Sequence, residues 1–96
     1  MREIGMFQLT NDETFQKLLK VVARNGAPAI LFSLSKGEMQ FSHLMFETRL
    51  NPGVLSRHLK ALMEVGIVER VNGKYALTET GKRLASILRE MKDLTK

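Results

Sequence analysis

The sequence contains no cysteine. That excludes disulfides, thiolate metal sites and thiol redox switches. Histidines are almost as scarce: His43 and His58 are the only two, whereas a structural or catalytic zinc-type site needs three or four convergent ligands. No metal is expected. No run approaches the ~20 apolar residues that span a bilayer, and the opening Met-Arg-Glu-Ile-Gly-Met-Phe lacks the apolar stretch of a secretory signal. An intracellular, cytoplasmic location is the expectation. There is no phosphate-binding glycine loop and no nucleophile with an evident base, so neither catalysis nor a cofactor is expected. No repeat, low-complexity tract or linker interrupts residues 1–96, which read as a single domain. Proline occurs only twice, at positions 28 and 52, and each suits the first turn of a helix, where a missing N–H costs nothing.

What is present is ordinary in amount and uneven in placement. The hydrophobic share is 44% and the charged share 26%, as in a globular chain. The formal net charge is +5. Residues 1–48 carry five Lys/Arg and five Asp/Glu, while residues 49–96 carry ten and five, so all the net charge lies in the second half. A basic half suits a polyanionic partner, either nucleic acid or an anionic membrane surface. No strongly basic helix has the bulky apolar face that membrane binding needs, which leaves nucleic acid ahead.

Residues 1–9 fit a mobile arm, a short strand or a dimer contact. Thr10 and Glu13 form a capping box, and Phe15, Leu18, Leu19 and Val22 recur at helical spacing, predicting a helix over about 11–25. Pro28 begins a second, mostly apolar helix that ends at Gly37. Residues 38–41 alternate as a short strand. Ser42 caps a third helix over 43–49, with Phe41 and Phe46 as a hydrophobic staple. Asn51 followed by Pro52 starts a fourth helix, running to about Val65. Segments 67–71 and 74–77 flank Asn72-Gly73, a dipeptide suited to a type I′ hairpin turn. Thr78 caps a last helix over 79–95. The predicted class is mainly α with a small β-hairpin, in the order α-α-(β)-α-α-β-β-α. A helix pair joined by a tight turn and followed at once by a hairpin is the winged helix-turn-helix arrangement, with the helix pair at about 42–66 and the wing at about 67–77.

On a wheel of 100° per residue with Val54 at 0°, Leu55, Leu59 and Leu62 cluster at about 80–140°, while Ser56, Lys60, Gly53 and Arg57 fall at about 200–300°. One side buries leucine. The other offers a hydroxyl, an ammonium and a guanidinium beside a glycine that permits close backbone approach, groups suited to phosphates and base edges in a major groove. Glu64 stands one turn past Lys60 and is expected to pair with it. Arg70 and Lys74 flank the hairpin tip and would meet the flanking backbone or minor groove. The candidate DNA-binding set is Asn51, Gly53, Ser56, Arg57, Lys60, Arg70 and Lys74. His58 falls at the edge of the leucine face and is expected to pack there, and His43 is expected at the surface.

Phe41-Ser42-His43-Leu44, the run Leu50-Asn51-Pro52-Gly53-Val54-Leu55-Ser56-Arg57-His58-Leu59-Lys60-Ala61-Leu62, Gly66 to Arg70, and Tyr75 to Gly81 together resemble the HxlR type of winged-helix regulator, and are similar also to the ArsR and MarR types. The resemblance covers roughly residues 27 to 88. It implies a dimeric transcription factor on double-stranded DNA, with residues 52–65 as the recognition helix. The N-terminal cysteine and second-helix tryptophan frequent in HxlR proteins are absent, and the wing is shorter than is common. On the last helix, Leu84, Ile87, Leu88, Met91 and Leu94 follow a seam-like spacing and are candidates for the homodimer contact. The other reading of these residues is a winged-helix protein–protein interaction module within a larger transcription or replication assembly, since fold does not fix function. No pattern identifies a small-molecule effector.

Overall fold

The structure is a computed structural model that describes residues 13–96. The arm at residues 1–9 and the Thr10 cap lie outside the described residues. Helix α1 is described over residues 13–22. It is followed by α2 (Ala27–Leu34), α3 (Phe41–Thr48), α4 (Pro52–Glu64), β1 (Val68–Val71), β2 (Lys74–Leu77) and α5 (Glu79–Asp93). Among the described residues the architecture is five helices and one antiparallel hairpin, in the expected order.

The core centres on α2. Pro28 occupies its first turn, and Ala27, Ile30, Leu31, Ser33 and Leu34 are all buried, so the helix packs against α3, α5 and β2. It stops at Leu34, short of Gly37. Ser35 closes the end by donating its hydroxyl to the Phe32 carbonyl at 2.6 Å, a local bond that competes with continuation of the helix. Around α2 lie Val21 and Val22 of α1, Leu44 of α3, Leu55, Leu59 and Leu62 of α4, Ile67, Val68 and Leu77 of the hairpin, and Ala85 of α5.

The expected strand at 38–41 is a single bridge. Met39 and Tyr75 exchange backbone hydrogen bonds of 2.9 and 2.8 Å, adding one residue to the free edge of β2. This tie corrects the start of α3. The helix begins at Phe41 with Gln40 as an extended N-cap that lacks a side-chain hydrogen bond, so Ser42 lies within the helix and does not cap it. The Phe41–Phe46 staple does not form either. Phe46 is 75% exposed, and Phe41 instead meets the Tyr75 ring, with centroids 6.5 Å apart. Pairing of Met39 with β2 turns the entering chain so that Phe41 faces the hairpin.

The hairpin follows its turn chemistry. Asn72 and Gly73 have φ of 53° and 78°, both positive as a type I′ turn requires. The resulting register pairs Val68 with Leu77, Glu69 with Ala76, Arg70 with Tyr75 and Val71 with Lys74.

Thr78 joins the hairpin to α5. Its hydroxyl donates to the Gly66 carbonyl at 2.6 Å and accepts from the Gly81 amide at 3.0 Å, while its own amide donates to the Ile67 carbonyl at 3.0 Å. One turn later, Gly81 is buried against that same carbonyl, and a Cβ there would collide with the Ile67 oxygen and carbonyl carbon. Because the obstacle is backbone, it cannot rotate away. Gly81→Ala is therefore expected to destabilise the protein by about 1–3 kcal/mol, the usual cost of overpacking; a urea unfolding midpoint equal to that of the unsubstituted protein would contradict this close approach.

Candidate nucleic-acid interface

Helix α4 begins as its local sequence dictates. Asn51 is extended, with φ −72° and ψ 159°, and its side-chain oxygen accepts from the Val54 amide at 2.9 Å. Leu55 and Leu62 are 0% exposed and Leu59 1%, so one face is fixed inward. His58, 7% exposed, adds a polar clamp beside them. Its Nε2 donates to the Asn25 carbonyl at 2.9 Å, tying α4 to the turn between α1 and α2. Nδ1 of the same ring is buried with no hydrogen-bond partner among the described residues. The expected packing role of His58 is what the structure shows.

The opposite face is exposed over Gly53, Ser56, Arg57 and Lys60. Among the described residues, neither Arg57 nor Lys60 forms an ion pair, and the expected Lys60–Glu64 pair is not made. Gly53 has no internal reason to lack a side chain. A Cβ there would meet only Asn51 Oδ1 at 3.6 Å and Arg57 Nη1 at 3.9 Å, which are ordinary contacts. Gly53 lies in the first turn of α4 and leaves the backbone there open to close approach. The 3.9 Å spacing also puts the Arg57 guanidinium over the first turn of α4, beside the partial positive charge of the helix N-terminus.

The two wing cations differ. Arg70 stacks over the Tyr75 ring, 4.6 Å from its centroid, and its Nη1 donates to the phenol oxygen at 3.1 Å. Arg70 is exposed, with its guanidinium held against that ring. Lys74 is half-buried, and its ammonium lies 4.0 Å from a Glu38 carboxylate oxygen, so part of its charge is answered within the molecule. Tyr75 and Glu38 were absent from the candidate set. Tyr75 had a readable signal, because an Asn72-Gly73 turn sets Tyr75 opposite Arg70; Glu38 had none, because it reaches Lys74 only through the Met39–Tyr75 bridge.

His43 is exposed, 3.8 Å from Glu47. Glu47 also accepts from Lys36 at 2.8 Å, and that hydrogen bond, with the Lys36 charge and a smaller contribution from His43, holds its carboxyl below the ordinary value. On α5 the candidate seam divides. Leu84 and Leu88 pack partly against the core, while Ile87, Met91 and Leu94 are 54%, 56% and 84% exposed. Among the described residues no helix is long and apolar enough to cross a membrane, and no cluster of three or more His, Asp or Glu is placed to hold a metal.

A model of the bacterial regulatory protein arsR family matches residues 28–70, the stretch from α2 through β1. The HTH-type transcriptional regulator YvaP of Bacillus subtilis is 34% identical over 85 residues, covering 80% of this chain and 79% of that protein. The chain belongs to the helix-turn-helix transcriptional regulators. Two solved structures agree with this regulator fold. The transcriptional repressor BigR of Xylella fastidiosa is 28% identical with a TM-score of 0.77, covering 100% of this chain and 97% of its own. The homodimeric winged helix-turn-helix DNA-binding domain of Mb0332 from Mycobacterium bovis is 24% identical with a TM-score of 0.76, covering 90% and 84%. The chain is thus a winged helix-turn-helix transcriptional regulator whose residues 28–70 are similar to the arsR family; these matches do not single out the HxlR type.

The cap of α4 is testable apart from DNA. Asn51→Ala removes the acceptor of the Val54 amide and is expected to cost about 1 kcal/mol, read as a lower urea midpoint at unchanged slope. Asn51→Asp retains the acceptor and the stability. Equal midpoints for Ala and Asp would remove the capping role.

Proposed function

We propose that α4 is the recognition helix of this regulator, lying in the major groove with Gly53, Ser56, Arg57 and Lys60 toward the DNA and the wing on the flanking backbone or minor groove. The observation that carries this reading is the polarity of α4: three fully buried leucines on one side, and on the other an exposed face whose cations have no ion-pair partner among the described residues. Arg57 has the donors to read guanine in two hydrogen bonds, while Lys60 is a point charge for phosphate. Arg70, braced by Tyr75, is the principal wing contact, and Lys74, shared with Glu38, contributes less. Asn51 serves through the cap. The reading takes residues 1–96 as one cytoplasmic DNA-binding unit that catalyses no reaction.

Arg57→Ala is expected to weaken binding by about 1–3 kcal/mol and to relax preference at one base position. Lys60→Ala is expected to weaken all duplexes alike and to flatten the salt dependence. Selection of bound sequences from a random duplex pool, followed by titration of both variants, checks this; an Arg57→Ala protein with unchanged affinity and unchanged site preference would remove Arg57 from the reading role, and no binding of any duplex by the unsubstituted protein would remove α4 from it.

The regulator acts, on this reading, as a homodimer. The stripe Ile87, Met91 and Leu94 on α5 is exposed, as are Phe15 and Leu19 on α1, and the Mb0332 domain of the same fold is homodimeric. A twofold pair would hold two α4 helices about 34 Å apart, for half-sites one turn apart. Light scattering is expected to give twice the 10.9 kDa chain mass, and Ile87→Asp with Met91→Asp to give the single-chain mass. A dimer that survives both substitutions would exclude this stripe as the contact.

A further inference from the structure

Among the described residues, only Arg49 and Asn72 combine a side chain with positive φ. Asn72 is accounted for by the hairpin turn. Arg49 is not: it sits at the C-cap of α3 with φ 63° and ψ 20°, a left-handed conformation that glycine adopts freely and a Cβ-bearing residue resists.

The surroundings impose that conformation whatever side chain is present. The Arg49 amide donates to the Met45 carbonyl at 2.9 Å. Thr48 donates its hydroxyl to the Leu44 carbonyl at 2.7 Å and accepts from the Leu50 amide at 3.4 Å. The Leu50 side chain packs against Gly26, where an added Cβ would lie 3.0 Å from it. Residue 49 is thus pinned from both sides, and glycine is the relaxed choice for it. Arginine stands there instead. Its side chain is exposed and, among the described residues, makes no hydrogen bond or ion pair. Neither packing, backbone geometry nor an internal charge partner accounts for a cation at this position.

Its place in the chain does. Arg49 opens the turn that leads into α4, two residues before the Asn51 cap, at the end of α4 where Gly53 and the Arg57 guanidinium lie. We propose that Arg49 grips a DNA phosphate at the edge of the groove that α4 enters, fixing the insertion depth of the helix without reading a base. The inference rests on α4 being the recognition helix. A guanidinium on a rigidly held backbone loses little freedom on contact, which suits it to a positioning role.

Arg49→Gly separates folding from binding because the two effects have opposite signs. Relief of the left-handed strain is expected to raise the thermal midpoint by a few degrees. Affinity for a selected site and for random duplex is expected to fall together, several-fold to about tenfold, with the slope of log affinity against log salt shallower by about 0.9 per protomer. Arg49→Lys keeps the charge and is expected to retain the slope. Arg49→Asn, which tolerates the left-handed region, is expected to lose affinity as glycine does. Unchanged affinity and slope in Arg49→Gly, or a loss confined to one base position, would overturn the assignment while leaving α4 in its role. Absence of duplex binding by the unsubstituted protein would instead overturn the recognition-helix reading on which it rests.

Discussion

Burial of Leu55, Leu59 and Leu62 governs the direction in which every other group on α4 points. A helix of 13 residues is marginal by itself in water; it persists here because one face is withdrawn from solvent. Truncating any of these leucines would cost about 2–5 kcal/mol, a large part of a total that in small domains is about 5–15 kcal/mol. His58 adds what leucine cannot. Dispersion contacts leave a helix free to roll by a few degrees, whereas the hydrogen bond to the Asn25 carbonyl is directional and sets the roll. The His58 Nδ1, without a partner among the described residues, is the cost of seating an imidazole there.

The features readable from sequence were those settled within about four residues. Asn51-Pro52 at the start of α4, Asn72-Gly73 at the hairpin tip and Thr78 at the start of α5 each act through a cap or turn that needs no distant partner, and each is where it was expected. The leucine periodicity of α4 likewise located its exposed face. Features that depend on a remote partner escaped. The start of α3 and the exposure of Phe46 follow from Met39 pairing with Tyr75, and Lys74 meets Glu38 through the same bridge. The stripe on α5 was legible as a stripe, but periodicity does not say where the core ends, and Leu84 and Leu88 turned inward while Ile87, Met91 and Leu94 stayed out. Arg49 escaped for another reason: an arginine carries no local mark of a left-handed backbone.

Polar groups around α4 divide by whether the molecule answers them. Glu47 is matched by Lys36, Lys74 by Glu38, and Arg70 by the Tyr75 ring and hydroxyl. Arg49, Arg57 and Lys60 have no such answer among the described residues. Lys17 and Lys20 on α1 and Lys82 and Arg83 on α5 likewise form no ion pair among the described residues, so what sets the α4 face apart is its place opposite the three buried leucines and beside Gly53.

The backbone tie between Met39 and Tyr75 has a thermodynamic consequence. A hairpin of four-residue strands is barely stable alone and would have to be ordered by its ligand, which would lower the affinity gained per unit of contact. Here the strand edge is secured to the segment that launches α3, and the other end is secured through Thr78 to α5. The wing is therefore already shaped before it meets any partner. Its docking should show the modest heat-capacity change of two rigid surfaces meeting, without the larger signature of a segment that folds as it binds.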